Sequence, residues 1–122
     1  MMLFTKLKAK AAHLMCGESA ELQAHNFLIN KGLKSVCRNF SCKLGELDLI
    51  MTDQQTLVIV EVRFRKTDKY GSAAESITGA KQSRIIAATH VYLSTHKTNG
   101  PIRFDVVAMS GNGEINWIQN AF

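Results

Sequence analysis

The succession of patterns along this 122-residue chain predicts an α/β domain built on a mixed sheet. Three observations carry the prediction. A helical stripe comes first, two apolar runs of strand length stand back to back in the middle, and a longer helical stripe separates them from two further strand-like runs. The middle runs are close enough to pair antiparallel, whereas a strand, a crossover helix and a strand make a right-handed unit with its two strands parallel. The expected order is α, three strands, α, two strands.

Each element has its own signal. Between Gly17 and Gly32, the residues Ala20, Ala24, Phe27, Leu28 and Lys31 recur at helical spacing, and Gly32 is placed to end the helix. Glu21 flanks that inward stripe, while Glu18 points nearer solvent, so Glu21 is the acid better aimed at a sheet. A short strand is expected over 34–38. The stretch GELDLIMTDQQTLVIVEVRFR follows, and a turn centred on Gln54 and Gln55 makes it a hairpin. Leu47 then opposes Val62, Leu49 opposes Val60 and Met51 opposes Val58, giving one continuous apolar face. On the other face Ile50 opposes Ile59, Asp48 opposes Glu61 and Glu46 opposes Arg63. A slip of one residue would break the apolar layer. Thr78 is placed to cap a helix running to about residue 97, with Ile85, Ile86, Thr89, Tyr92, Leu93 and His96 facing inward. Lys81 and Gln82 stand one turn earlier on that stripe. Pro101 ends the connection, and strands are expected over 102–109 and 114–118, joined by the turn Ser110-Gly111-Asn112-Gly113.

Composition narrows the function classes. Fifteen Lys and Arg against ten Asp and Glu favour an anionic partner, nucleic acid ahead of a membrane surface. Cys16, Cys37 and Cys42 form no CxxC pair and cannot all be bridged internally, which suits free thiols in a reducing, cytoplasmic compartment. Lys6, Lys8 and Lys10 break up any signal-type apolar core at the N-terminus, so residues 1–16 read as a basic arm or frayed end before a single domain over 17–122. No apolar run is long enough to span a membrane. There is no Walker loop, no G-x-G-x-x-G after a strand and no G-x-S-x-G, so nucleotide-fold and serine-triad chemistry have no footing. Tyr70 and Trp117 are able to stack on bases, but packing is the simpler role for each.

The informative pair is Asp48 and Glu61. Two carboxylates side by side repel unless one keeps its proton or a cation neutralises both. Mg2+, or Mn2+ in its place, takes oxygen ligands, commonly one or two carboxylates with waters and substrate phosphates, and Glu21 descending from the first helix completes an acidic cradle. A divalent ion there suits phosphodiester hydrolysis. Arg63, Arg65, Lys66, Lys69, Lys81 and Arg84 cluster nearby in sequence as candidate phosphate contacts. The alternative for the same residues is a charge network on a sheet surface, without metal or chemistry.

The ordered segments GESAELQAHNFL, GELDLI, VIVEVRFR, YGSAAESITGAKQSR and RFDVV resemble the bacterial YraN family of uncharacterised proteins, over nearly everything from Gly17 onward. That family is in turn similar to restriction-endonuclease-like nucleases of the PD-(D/E)xK type and to archaeal Holliday junction resolvases. The resemblance implies an αβββαβ core with an added C-terminal strand, acting on DNA, with a homodimer where two strands are cut symmetrically. It implies Glu21 as the helix glutamate, Asp48 as the D, Glu61 as the (D/E) and Arg63 at the lysine position. Arginine stays charged at any working pH, so it binds phosphate but cannot accept a proton from water. Lys81, arriving on the second helix with Gln82 beside it, is the candidate substitute for placing the attacking water.

Overall fold

Two helices flank a five-stranded sheet in a computed structural model that describes residues 19–65 and 77–122. Helix α1 (19–30) buries Ala20, Ala24 and Leu28 at the expected spacing. It ends in a Schellman motif: the Leu33 N–H donates to the Leu28 carbonyl and the Gly32 N–H to that of Ile29, each at 3.0 Å. Gly32 supplies the required left-handed backbone, with φ at 101°, and Leu33 is buried beside Leu28.

Strands β1 (Lys34–Cys42), β2 (Gly45–Asp53) and β3 (Thr56–Arg65) follow, then α2 (Gly79–Thr95), β4 (Ile102–Ser110) and β5 (Ile115–Ile118). The strands lie in sequence order across the sheet, all neighbours antiparallel except β3 with β4, which are parallel. This is the αβββαβ order expected from the sequence, with β5 added at the far edge.

The pleat divides the core in two. Leu49, Met51, Val58, Val60 and Val107 pack on α1, and Ile50, Leu57, Ile59 and Val106 pack on Ile85, Ala88 and Tyr92 of α2. Truncating one filled position such as Leu28 to alanine costs about 2–5 kcal/mol. Gly45 seats α2 on the start of β2, because a Cβ there would stand 2.9 Å from the Arg84 carbonyl oxygen.

Four expectations are corrected. Strand β1 runs on to Cys42 rather than stopping at 38, because Phe40 and Cys42 still pack against the α2-side core. The inward stripe of α2 is Ile85, Ala88, Thr89 and Tyr92, and Ile86 is exposed: helix phase, not side-chain hydrophobicity, decides which residue faces the sheet. His96 lies exposed at the end of α2, its ring stacked on Tyr92 with centroids 4.3 Å apart, instead of in the core. The β2–β3 ladder keeps the expected register from the turn to Leu49–Val60 and stops there, so the pairs Leu47–Val62, Asp48–Glu61 and Glu46–Arg63 do not form in the ladder. Leu47 instead joins the α2-side cluster with Ile50, which breaks strict alternation across Asp48.

Asp105 of β4 is fully buried and fully engaged. It accepts from Arg103 Nε (2.9 Å), Trp117 Nε1 (2.9 Å) and the Asn120 N–H (3.1 Å), while Arg103 also reaches Asp53 at 3.3 Å. One carboxylate thus ties β4 to β5, to the chain end and, through Arg103, to the β2–β3 hairpin. Trp117 is accordingly a packing residue, its ring edge-on to Phe27. The expected arm over 1–16, Lys66, Lys69 and Tyr70 lie outside the described residues.

Candidate functional site

The site is built where the sheet parts. Beyond Leu49–Val60, β2 follows β1 and β3 follows β4, and the Val62 N–H released from the ladder donates to Asp48 Oδ2 at 2.9 Å. Across β1, Arg38 pairs with Leu49 and Phe40 with Leu47, but Asn39, which would face Asp48, is missing from the ladder and has φ at 58°. Asp48 is therefore held in the opening by a side-chain hydrogen bond in place of strand pairing.

Two further acids converge on it from opposite faces. Glu21 comes from α1, half-buried, with Asp48, Asn39 and Arg38 as its electrostatic neighbours. Burial first, and then the Asp48 charge, push Glu21 up to about 7, against the opposing pull of Asn39 and the Arg38 guanidinium. Glu61 comes from β3 and is only 4% exposed. Burial and then Asp48 push it up to about 7 as well, while the Lys81 ammonium, 3.5 Å from Glu61 Oε1, pulls it back. Thr78 fixes that lysine by capping α2: its hydroxyl accepts the Lys81 N–H at 3.2 Å.

The structure thus brings Glu21, Asp48, Glu61 and Lys81 together. Arg63, two residues beyond Glu61 and half-buried, shares its face of β3 and pairs with Ala108 of β4. Gln82 is turned to a local task, its Nε2 donating to the Ile77 carbonyl at 3.3 Å. Arg65 and Arg84 are exposed. Sequence reasoning passed over Arg38 and Asn39, although an asparagine within a strand-length run is itself a signal: the residue is depleted in strands and tolerant of left-handed backbone.

Among the described residues, no three His, Cys, Asp or Glu side chains close around one point as a ready-made metal cage. The acids form a chain, Glu21 to Asp48 to Glu61, with Asp48 as the shared member. That arrangement fits Mg2+, which takes one or two carboxylates and keeps its remaining positions for water and phosphate. Two acids whose ionisation is opposed by burial and by the Asp48 charge are also what a hard cation would relieve.

Residues 20–109 match the uncharacterised protein family UPF0102. The chain belongs to that family. It is 50% identical over 114 residues to a UPF0102 protein of Saccharophagus degradans, covering 92% of this chain and 96% of that protein. It is 49% identical over 108 residues to one of Nitrosomonas europaea (87% and 92% covered), and 46% over 114 residues to one of Pseudomonas fluorescens (91% and 95%). The YraN resemblance read from the motifs is thereby borne out. The UPF0102 span runs from α1 into β4 and includes Glu21, Asp48, Glu61, Arg63 and Lys81. Among the described residues, no helix of this UPF0102 member is long and apolar enough to cross a membrane.

Proposed function

We propose that this UPF0102 protein is a Mg2+-dependent endonuclease that hydrolyses phosphodiesters in DNA, with branched or otherwise structured DNA as the substrate class. The observation that carries the reading is the convergence of Glu21, Asp48 and Glu61 from two opposed faces onto the opening of the sheet, with Lys81 at 3.5 Å from the last of them. A divalent ion bound by Asp48 and Glu61, assisted by Glu21, would supply charge neutralisation at the scissile phosphate and a more acidic water.

The chain's own groups account for the remainder. Asp48 commits Oδ2 to the Val62 N–H, which fixes the carboxylate plane and leaves Oδ1 for the site. Lys81 stands where it can hold a water against the phosphate. Arg63 stays a cation throughout and serves as a phosphate contact. Arg65 and Arg84, on exposed positions, extend the positive surface along which a nucleic-acid backbone is bound. Cleavage of junction, flap and single-stranded DNA with and without Mg2+ tests the reading. Asp48→Asn is expected to abolish Mg2+-dependent cleavage and to leave salt-sensitive DNA binding in place; equal cleavage by variant and wild type would refute it.

A second reading rests on one observation, the Lys81–Glu61 ion pair together with arginine at position 63. Those cations can neutralise the acids without a metal, leaving a DNA-binding or adaptor protein on the same fold. That reading expects no heat on titrating Mg2+ or Mn2+ and no cleavage products from any substrate.

A further inference from the structure

Phe64 is the aromatic side chain that the packing leaves over. Among the described residues, Phe27 and Trp117, Phe40 and Tyr92, and Phe104 and Phe122 meet ring to ring. Phe64 has no ring partner among them and is 44% exposed. It stands in the run Arg63-Phe64-Arg65 that ends β3, opposite Met109 of β4. Met109 belongs to the α1-side core and Val62 packs against it, so Phe64 continues their row into solvent on that side of the sheet. Arg63 and Arg65 alternate onto the other side, the side on which Glu61 meets Lys81. The strand end thus carries cations on one face and an exposed ring on the other, about 10 Å along the chain from Glu61.

That pairing suits a partner that is anionic along its length and flat and apolar at intervals. A nucleic-acid strand has both properties: phosphates for the exposed Arg65, and bases whose π-faces stack on an aromatic ring. In a paired duplex each base face is already covered by its neighbours, so the ring gains nothing there. An unpaired base at a bulge, flap or junction has a face to offer. We propose that Phe64 is a stacking contact for an unpaired base of the DNA, placed beside the acidic site at the end of the same strand. The inference rests on the nucleic-acid part of the reading above, needs no metal, and gives that reading its selectivity for structured DNA.

The test is a fluorescence-anisotropy titration in EDTA of two labelled probes, a duplex with one unpaired adenine and the same duplex fully paired, on wild type, Phe64→Ala, Phe64→Leu, Phe64→Trp and Arg65→Ala. Wild type is expected to bind the bulged probe about tenfold more tightly than the paired one, and Phe64→Ala to lose that margin on the bulged probe alone. Phe64→Leu keeps apolar bulk without the flat face and should lose the margin too; it also stands in for the alanine variant should that fail to fold. Phe64→Trp should keep it, and Arg65→Ala should weaken both probes alike. Equal binding of the two probes by wild type, a margin that survives in Phe64→Ala or Phe64→Leu, or an equal loss on both probes in those variants overturns the proposal. Wild type that binds neither probe overturns the nucleic-acid reading itself, a result seen before any variant is measured.

Discussion

Replacing Asp48 by asparagine should make the metal-free protein more stable, and the size of the gain follows from the geometry of the acids around it. The asparagine side chain retains an oxygen for the Val62 N–H, so the perturbation removes a charge and little else. Glu21 and Glu61 both titrate near 7 instead of 4.5, with burial as the larger cause and Asp48 the next. A folded state that binds protons more tightly than the unfolded chain loses stability as pH rises between the two midpoints. For both glutamates that window is 4.5 to about 7. At about 1.4 kcal/mol per pH unit, the buried Glu61 would cost the folded chain about 3 kcal/mol once ionised, and the half-exposed Glu21, screened by solvent, about 1 kcal/mol. Removing the Asp48 charge takes away part of each cost. Urea denaturation in EDTA should therefore show Asp48→Asn about 1–2 kcal/mol more stable than wild type near about pH 8, with the difference fading towards about pH 5. Added Mg2+ should then stabilise wild type and leave the variant unmoved. A variant less stable than wild type at the higher pH, or one with an unchanged pH slope, would refute the electrostatic account.

The remaining expectations concern the fold and the charged surface. Asp105→Ala strands the Trp117 and Asn120 N–H donors and leaves the Arg103 guanidinium with Asp53 alone, and should cost about 3–5 kcal/mol in urea unfolding. Gly45→Ala places a Cβ against the Arg84 carbonyl, so α2 must shift; a loss of about 1–3 kcal/mol in thermal unfolding is expected. Lys81→Met should push the Glu61 midpoint higher still, which nuclear magnetic resonance titration of the side-chain carboxyl would read directly. Arg65→Ala and Arg84→Ala should each weaken DNA binding about equally across sequences and lower the slope of log affinity against log salt by about 1.

Much of the fold is legible because local rules agree with one another. Gly32, the run from Ala20 to Leu28 and Thr78 mark their helices unaided. The apolar alternation on either side of Gln54 and Gln55 fixes the β2–β3 register wherever that pairing exists. What cannot be read is where the pairing ends. A ladder drawn from sequence continues to the last strand-like residue, whereas here the β2–β3 pairing stops at Leu49–Val60, Asn39 on a different strand drops out of its own ladder opposite Asp48, and Leu47 packs with the α2-side cluster. The association of Asp48 with Glu61 is thus anticipated through a ladder pair that does not form; the structure joins them through side chains in the gap. Asp105 is legible only as a polar residue in a strand, because its partners Trp117 and Asn120 reach it through tertiary packing.

The acids straddle the seam between the two apolar layers: Glu21 rides on one, Glu61 on the other, and Asp48 bridges them through the parted strands. Neither layer by itself can assemble the trio. Slackness under either helix, even from a substitution remote from any charge, would separate carboxylates that must act in concert. On the metal reading proposed above, cation affinity would thereby double as a gauge of how tightly the two halves are clasped.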